Sequence, residues 1–203
     1  MSPPSIAEIL KDSQFQPELV ERIAFRTSQP PLEVHPYNPS WPNIFLEIKE
    51  RILTALGDTA IAIHHTGSTS VPGLPAKDII DIDLVVRDST KETEYVQKLE
   101  DAGFKFLLRE PHWHQHRFFY TYQPYAVNLH VWSPNCPEVV RHQIFRQRLL
   151  DCPEDMALYL KAKELAASQI REQGGNMADY NLLKENTIRQ ILRNAFKDLG
   201  YIS

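Results

Sequence analysis

The sequence predicts an α+β protein: a mixed β-sheet with packed helices, then an all-helical C-terminal part. Three observations carry this. Short runs rich in Ile, Val, Phe and Tyr recur between residues 61 and 132, as strands require. Apolar residues recur at helical spacing over 41–56 and from residue 137 onward. Glycines and prolines punctuate the chain where one pattern gives way to the next.

Residues 1–33 carry several prolines and read as an appended arm. Ile6, Ile9 and Leu10 fit one amphipathic turn, and Leu19, Val20, Ile23 and Phe25 a second short helix. Pro30-Pro31 ends the arm. Residues 34–203 then read as one domain, with the sheet core in 34–135 and the helical part in 136–203. Ser40 and Pro42 open a helix whose stripe is Trp41, Ile44, Phe45, Ile48, Ile52 and Leu56, and Gly57 closes it. Ile61 to His65 is the first core strand, and Ile79 to Val86 the second. Ser89 or Thr90 caps a helix that runs to Ala102, and Gly103 stops it. Phe104 to Leu108, Arg117 to Tyr122 and Tyr125 to Trp132 are further strands, the last two forming a hairpin around Gln123-Pro124. Three helical stripes follow, broken at Gly174-Gly175.

The strand over 79–86 is the most informative segment. Ile80, Ile82, Leu84 and Val86 share its core face by the period-two rule, so Asp81 and Asp83 share the other, about 7 Å apart. Two bare carboxylates at that distance repel by roughly 2 kcal/mol at an effective dielectric near 20. Such a pair must face water, keep one acid neutral, or hold a cation. Upstream stands the run Gly67-Ser68-Thr69-Ser70. Gly67 permits positive φ and close approach of a ligand. Ser68 offers a hydroxyl and an N–H to an anion. A phosphate-cradling turn beside paired acids suits phosphoryl or nucleotidyl transfer with Mg²⁺ or Mn²⁺. The plainer alternatives are a solvated Asp-x-Asp on an edge strand and an ordinary N-cap serine.

These residues resemble the signature of the GrpB family, itself similar to nucleotidyltransferases with a DNA polymerase beta-like core. The run from Gly67 through Leu74 is the most specific piece. Val34 to Pro42 resembles the entry segment, with Asn38 where Asp is more usual. Asn128-Leu129-His130-Val131 resembles a Leu-His-Val strand, Arg141-His142 with Phe145-Arg146 the first C-terminal helix, and Tyr180 with Lys184 a late Tyr-x-x-x-Lys. The resemblance covers roughly residues 33–193. It implies a nucleotidyltransferase-type α/β core, and it extends to members joined to dephospho-coenzyme A kinase. The chain carries no Gly-x-x-x-x-Gly-Lys-Ser/Thr loop, so that kinase activity is not carried over.

The superfamily commonly has a third carboxylate on a later strand. Here His130 occupies the matching place, on the same face as Asn128 and Trp132. A neutral imidazole there serves as third metal ligand, better suited to Mn²⁺ or Zn²⁺, as a general base, or as a hydrogen-bonded cleft residue. The expected catalytic and metal set is therefore Asp81, Asp83 and His130. Lys77 lies between the turn and the strand, where it could steady a triphosphate or sit in solvent; the family signature includes it. Tyr180 and Lys184 share one helix face, for base and phosphate contacts or as a core tyrosine beside a snorkelling lysine. Arg117 and Arg141 are candidate phosphate ligands, as is Arg146. His112, His114 and His116 alternate, so an extended segment aims them to one side. Their spacing matches no strong zinc pattern. His64 leans toward the acids, because Ile61, Ile63 and His65 share the opposite face.

Composition bounds the partners. The chain has 203 residues, 42% of them hydrophobic, enough for a real core, and a formal net charge of −4. No basic field argues for long nucleic acid. No run is long enough for a membrane span, and the N-terminus lacks a signal-peptide pattern. Two cysteines, Cys136 and Cys152, make no disulfide framework, so a reducing, cytoplasmic setting is expected. The leading functional expectation is metal-dependent transfer of a nucleotidyl group from a nucleoside triphosphate to an acceptor. Asp81→Asn or Asp83→Asn should then abolish activity and leave folding intact. The alternatives are a binding protein for a nucleotide or coenzyme A-like ligand, and a metal-dependent phosphohydrolase.

Overall fold

The computed structural model describes residues 2–26, 33–175 and 177–203. Six strands form one mixed sheet in the order β1-β4-β5-β6-β3-β2. They are β1 (Glu21–Arg22), β2 (Ala60–Thr66), β3 (Ile80–Val86), β4 (Lys105–Glu110), β5 (His116–Thr121) and β6 (Val127–Trp132). The central pair β3 and β6 is parallel and every other pair is antiparallel. The helices are α1 (Ile6–Leu10), α2 (Trp41–Leu56), α3 (Val96–Asp101), α4 (Pro137–Asp151), α5 (Pro153–Gln173) and α6 (Met177–Asp198).

One sheet face is apolar and the other polar, and the two-residue period explains both. Ile80, Ile82, Leu84, Val86, Val127, Leu129, Val131 and Phe119 form the main core with Trp41, Ile48, Ile52 and Leu56 of α2 and Leu99 of α3. The opposite face carries Asp81, Asp83, Asn128, His130 and Trp132. Helices α4 to α6 stand over it. Val71 and Leu74, from the loop before β3, pack with Leu149, Tyr159 and Ile191 of those helices.

Several boundaries follow the sequence reading. Helix α2 ends at Gly57, whose φ of 52° is one that only glycine adopts at little cost. Ser40 is helical in backbone and makes no side-chain cap; the Asn38 carboxamide accepts from its N–H instead. The helix expected from Ser89 is cut to a 3-10 turn at Glu92–Glu94 and the six residues of α3. Ser89 does not cap it, because its hydroxyl is buried between Ser133 and the Gln115 carbonyl.

The arm differs most from expectation. Its second segment is a single turn at Pro17–Leu19 followed by β1, which pairs with β4. Leu19, Ile23 and Phe25 stay exposed, so no apolar stripe is buried there to sustain a helix. Ser5 and Glu8 make a capping box that opens α1, and Ile9 packs against Leu192 and Phe196 of α6. The expected end of the arm at Pro30-Pro31 lies outside the described residues.

Candidate functional site: a cluster of buried lysines

Asp81 and the glycine-serine bend do converge. Gly67 sits at φ 67° against the Asp81 side chain, so close that a Cβ would overlap Asp81 Cβ at 2.8 Å and its carboxylate closer still. Gly67 is exposed, and Asp81 and Ser68 are half-buried, so this corner is open. Ser68 Oγ donates to the Tyr159 hydroxyl at 3.4 Å. Thr69 and Ser70, expected at phosphate, are spent within the turn. Thr69 Oγ1 reaches the Ile79 carbonyl at 3.3 Å, and Ser70 Oγ donates to the Gly67 carbonyl at 2.6 Å. Both residues are buried. Arg146 of α4 ties the turn down by donating to the Ser70 carbonyl at 3.1 Å.

The two acids have separate environments. Asp81 accepts from Asn128 Nδ2 at 2.8 Å. Asp83 has no solvent exposure. Its Oδ1 accepts from Trp132 Nε1 at 2.8 Å and its Oδ2 from His142 Nδ1 at 2.8 Å. Burial alone would lower the His142 pKa, but the Asp83 carboxylate outweighs it and raises His142 to about 9. Burial likewise works to raise Asp83, and His142 with its hydrogen bond holds it below its ordinary value. Asp83 is therefore neutralised from within, by an imidazolium on α4. His64 pairs opposite Asp83 in the β2–β3 register, on the polar face as expected. His65 takes the other face, stacked on Phe45 at 4.7 Å.

His130 lies beside Asp83 in the β3–β6 register. Its Nδ1 is 3.0 Å from His116 Nε2, and His116 Nδ1 is 2.7 Å from Glu110 Oε2. Burial keeps both imidazoles neutral, with His130 lowered to about 4 and His116 to about 3, and it raises Glu110. With Glu110 ionised, His116 donates to it and accepts from His130 Nδ1–H, which leaves the lone pair on His130 Nε2. The three loop histidines do not act together. His114 and Gln115 both have positive φ, so the alternation breaks and only His116 turns inward.

A divalent ion on Asp81, Asp83 and His130 does not fit this arrangement. Both Asp83 oxygens are taken, one by a cation, and His130 offers one nitrogen. Among the described residues, no cluster of three or more His, Cys, Asp or Glu groups could hold a metal.

Cations come instead from the loop before β3 and from α5 and α6. Lys77 and Lys184 each hold their ammonium 4.2 Å from the centroid of the buried Tyr180 ring. Lys163 donates to the Pro75 carbonyl at 2.5 Å and lies 5.4 Å from the Tyr159 ring. Burial lowers all three, Lys77 to about 8 and Lys163 and Lys184 to about 7. In Lys163 and Lys184 repulsion from neighbouring lysines adds to it. Asp81 is the carboxylate that opposes the shift in all three. Tyr180 is fully buried, so it cannot stack a base.

Two expected arginines stand elsewhere. Arg117 is on the opposite sheet face, where its Nε donates to Glu92 at 2.6 Å. Arg141 anchors the arm, donating to the Ile9 carbonyl at 2.7 Å and to Asp12 at 2.8 Å. Three participants were not foreseen. Lys163 follows Tyr159 by four residues, the spacing of Tyr180 and Lys184, and that repeated pattern was a usable signal. His142 had none beyond its position beside Arg141. Arg26 reaches in from the arm and donates to Asn128 Oδ1 at 3.0 Å and to the Tyr122 hydroxyl at 2.8 Å.

Fold and site together define an α+β protein with a cluster of lysines around Tyr180 and Tyr159, over the polar face of its sheet. The chain belongs to the GrpB family, whose model, described as GrpB protein, matches residues 31–194. It is 40% identical over 159 residues to the UPF0157 protein BH1888 of Halalkalibacterium halodurans, covering 78% of this chain and 80% of that protein. It is 36% identical to the UPF0157 protein SCO7215 of Streptomyces coelicolor, covering 78% and 81%. A more distant likeness is to a dephospho-CoA kinase of Mycolicibacterium paratuberculosis, 28% identical, covering 82% of this chain and 46% of that protein. The fold matches the crystal structure of conserved protein GrpB from Enterococcus faecalis at a TM-score of 0.67 and 24% identity, covering 82% of this chain and 99% of that one. No described helix is long and apolar enough to cross a membrane.

Proposed function

We propose that this chain binds a small phosphate-bearing ligand of the nucleotide or coenzyme A class at the lysine cluster. The observation that carries this is the gathering of cations: Lys77 and Lys184 hold their ammonium groups over the Tyr180 ring and Lys163 lies close to both, with Asp81 the carboxylate common to all three and Glu164 acting on Lys163 as well. Ammonium groups held below their ordinary pKa by burial and mutual repulsion are poised for a polyanion, which returns their charge and screens them from one another. The space a Cβ would fill at Gly67 is taken by the Asp81 side chain, and Ser68 offers a half-buried hydroxyl beside it. The likeness to a dephospho-CoA kinase agrees with such a ligand class and does not choose within it.

The test is a thermal-shift series with inorganic tripolyphosphate, the four nucleoside triphosphates and coenzyme A, each with and without Mg²⁺, Mn²⁺ or Zn²⁺. A ligand at a hundredfold excess over its dissociation constant adds about 2.7 kcal/mol. The reading expects a shift that Lys184→Gln removes. No shift with any of these anions defeats it.

A second reading adds transfer. Asp81 lies against the Gly67 bend with His130 nearby on the same face, a placement that suits nucleotidyl transfer. An acceptor hydroxyl would attack the α-phosphorus, its proton passing to a base such as His130 Nε2, as the bond to the β-phosphate oxygen breaks and pyrophosphate leaves. Mg²⁺ or Mn²⁺ would enter as the counter-ion of the triphosphate. With water as acceptor the same chemistry is hydrolysis. Labelled α-phosphate appearing in an adduct supports transfer, and nucleoside monophosphate alone supports hydrolysis. Tight binding with neither product leaves the protein a binder.

A further inference from the structure

Tyr180 is closed to a base, so a ligand of the proposed class needs another place for its ring. We infer that the aromatic strip Phe118, Tyr120 and Tyr122 is a stacking subsite for the planar heterocycle of that ligand, and that Arg26 occupies it in the ligand-free protein. The inference rests on the phosphate reading and specifies the other half of the ligand.

The geometry links the strip to Asp81 and so to the lysine cluster. The Arg26 guanidinium centre lies 4.8 Å from the Tyr120 ring centroid, 5.4 Å from that of Phe118 and 5.9 Å from that of Tyr122. Its hydrogen bonds to the Tyr122 hydroxyl and Asn128 Oδ1 lock it in place. Asn128 in turn donates to Asp81, the carboxylate that touches Gly67. Tyr120 pairs with Asn128, and Asn128 with Asp81, across neighbouring strands. Two strand spacings separate the aromatic strip from Asp81, about 10 Å. A nucleoside with its first phosphates bridges such a distance.

The chemistry also matches. A guanidinium is a flat, delocalised plate that stacks on aromatic faces. A nucleobase is another, and base–aromatic stacking is worth about 1–3 kcal/mol per base. Tyr120 is only 2% exposed beneath Arg26, so a ring enters by displacing that side chain, not by adding to open surface. Arg26 precedes residues 31–194, the span of the family match, so this plug belongs to the arm.

The experiment compares wild type with Arg26→Ala by calorimetry against the best-binding nucleoside triphosphate and against inorganic tripolyphosphate. Loss of the arginine charge weakens both alike, so the affinity ratio isolates the ring. The expected result is a ratio that rises roughly fivefold, the size of one released cation–π contact. Phe118→Leu, which keeps apolar volume, should lower the ratio. A ratio unchanged in both variants overturns the subsite. Should tripolyphosphate and triphosphates all fail to bind, the phosphate reading falls by itself. Adenosine and guanosine then decide the subsite: ring-proton shifts at Phe118 and Tyr122 in Arg26→Ala support it, and their absence overturns it.

Discussion

Asp83 Oδ2 and His142 Nδ1 meet at 2.8 Å across the β3–α4 boundary, and the pair is an ion pair at neutral pH. This contact relieves the repulsion between Asp81 and Asp83 by compensating the buried one. Of the two acids on this strand face, Asp83 meets a cation that the helical part carries as a side chain, and Asp81 meets the Asn128 amide.

Asp83→Asn should therefore destabilise the fold, contrary to the sequence expectation that folding survives it. Breaking a buried ion pair costs about 3 kcal/mol or more. The sign follows from His142, whose folded pKa of about 9 lies above the unfolded value near 6.5. Its contribution is full below that unfolded value and fades as pH rises through 9. Asp83, held low, contributes above its ordinary value and loses that in acid. Denaturant melts of wild type and Asp83→Asn should differ most near pH 6 and converge above pH 9. A difference that stays flat across this range would sink the assignment.

The lysine cluster predicts a pH dependence of the same sign for ligand binding, set lower by the lysine values. Lys163 and Lys184 titrate near 7 and Lys77 near 8 in the ligand-free protein. An anion stabilises their charged forms, so binding at pH 8 must take up protons, and affinity must fall between about pH 7 and 9. Calorimetry in buffers of different ionisation enthalpy measures the uptake. Binding without proton uptake would show that the anion sits away from these lysines.

Gly67→Ala should destabilise the protein and abolish anion binding. The new methyl would overlap Asp81 and hold a strained φ of 67°, together about 2–3 kcal/mol. Gly73→Ala is the control. Gly73 also has positive φ, 81°, but nothing lies within 4 Å of its added Cβ. A larger loss in Gly67→Ala than in Gly73→Ala, read by thermal melts, isolates the Asp81 contact.

Arg141→Ala should loosen the arm and spare ligand binding. It strands the Ile9 carbonyl and Asp12, at about 2 kcal/mol. Limited proteolysis should cut residues 2–20 faster, with unchanged affinity for tripolyphosphate. Weakened anion binding with an intact arm would restore Arg141 to the site.

Much of the sheet was readable because period two is a local property. Ile80, Ile82, Leu84 and Val86 face the core as their alternation requires, and Asp81 lies against Gly67 because a short loop returns the strand to the turn. Arg117 lies off the site because the β5–β6 register sets it opposite Val131, on the apolar side of the sheet, and that pairing is not a property of its own strand. Arg141 was misplaced because helix position says nothing of which neighbour the helix meets, here the Ile9 turn. The loop histidines failed as a group because two residues of positive φ interrupt them.

The chain by itself determined the mixed α+β architecture, the acid strand and the glycine bend beside it, since each follows from residues close in sequence. Tertiary structure alone decided that Asp83 is sealed by His142 and Trp132, that Lys163 joins Lys77 and Lys184, and that Arg26 covers Tyr120. Those contacts join residues from about 20 to about a hundred positions apart. Side-chain period fixes which way a group points, and only packing of whole elements fixes what it meets.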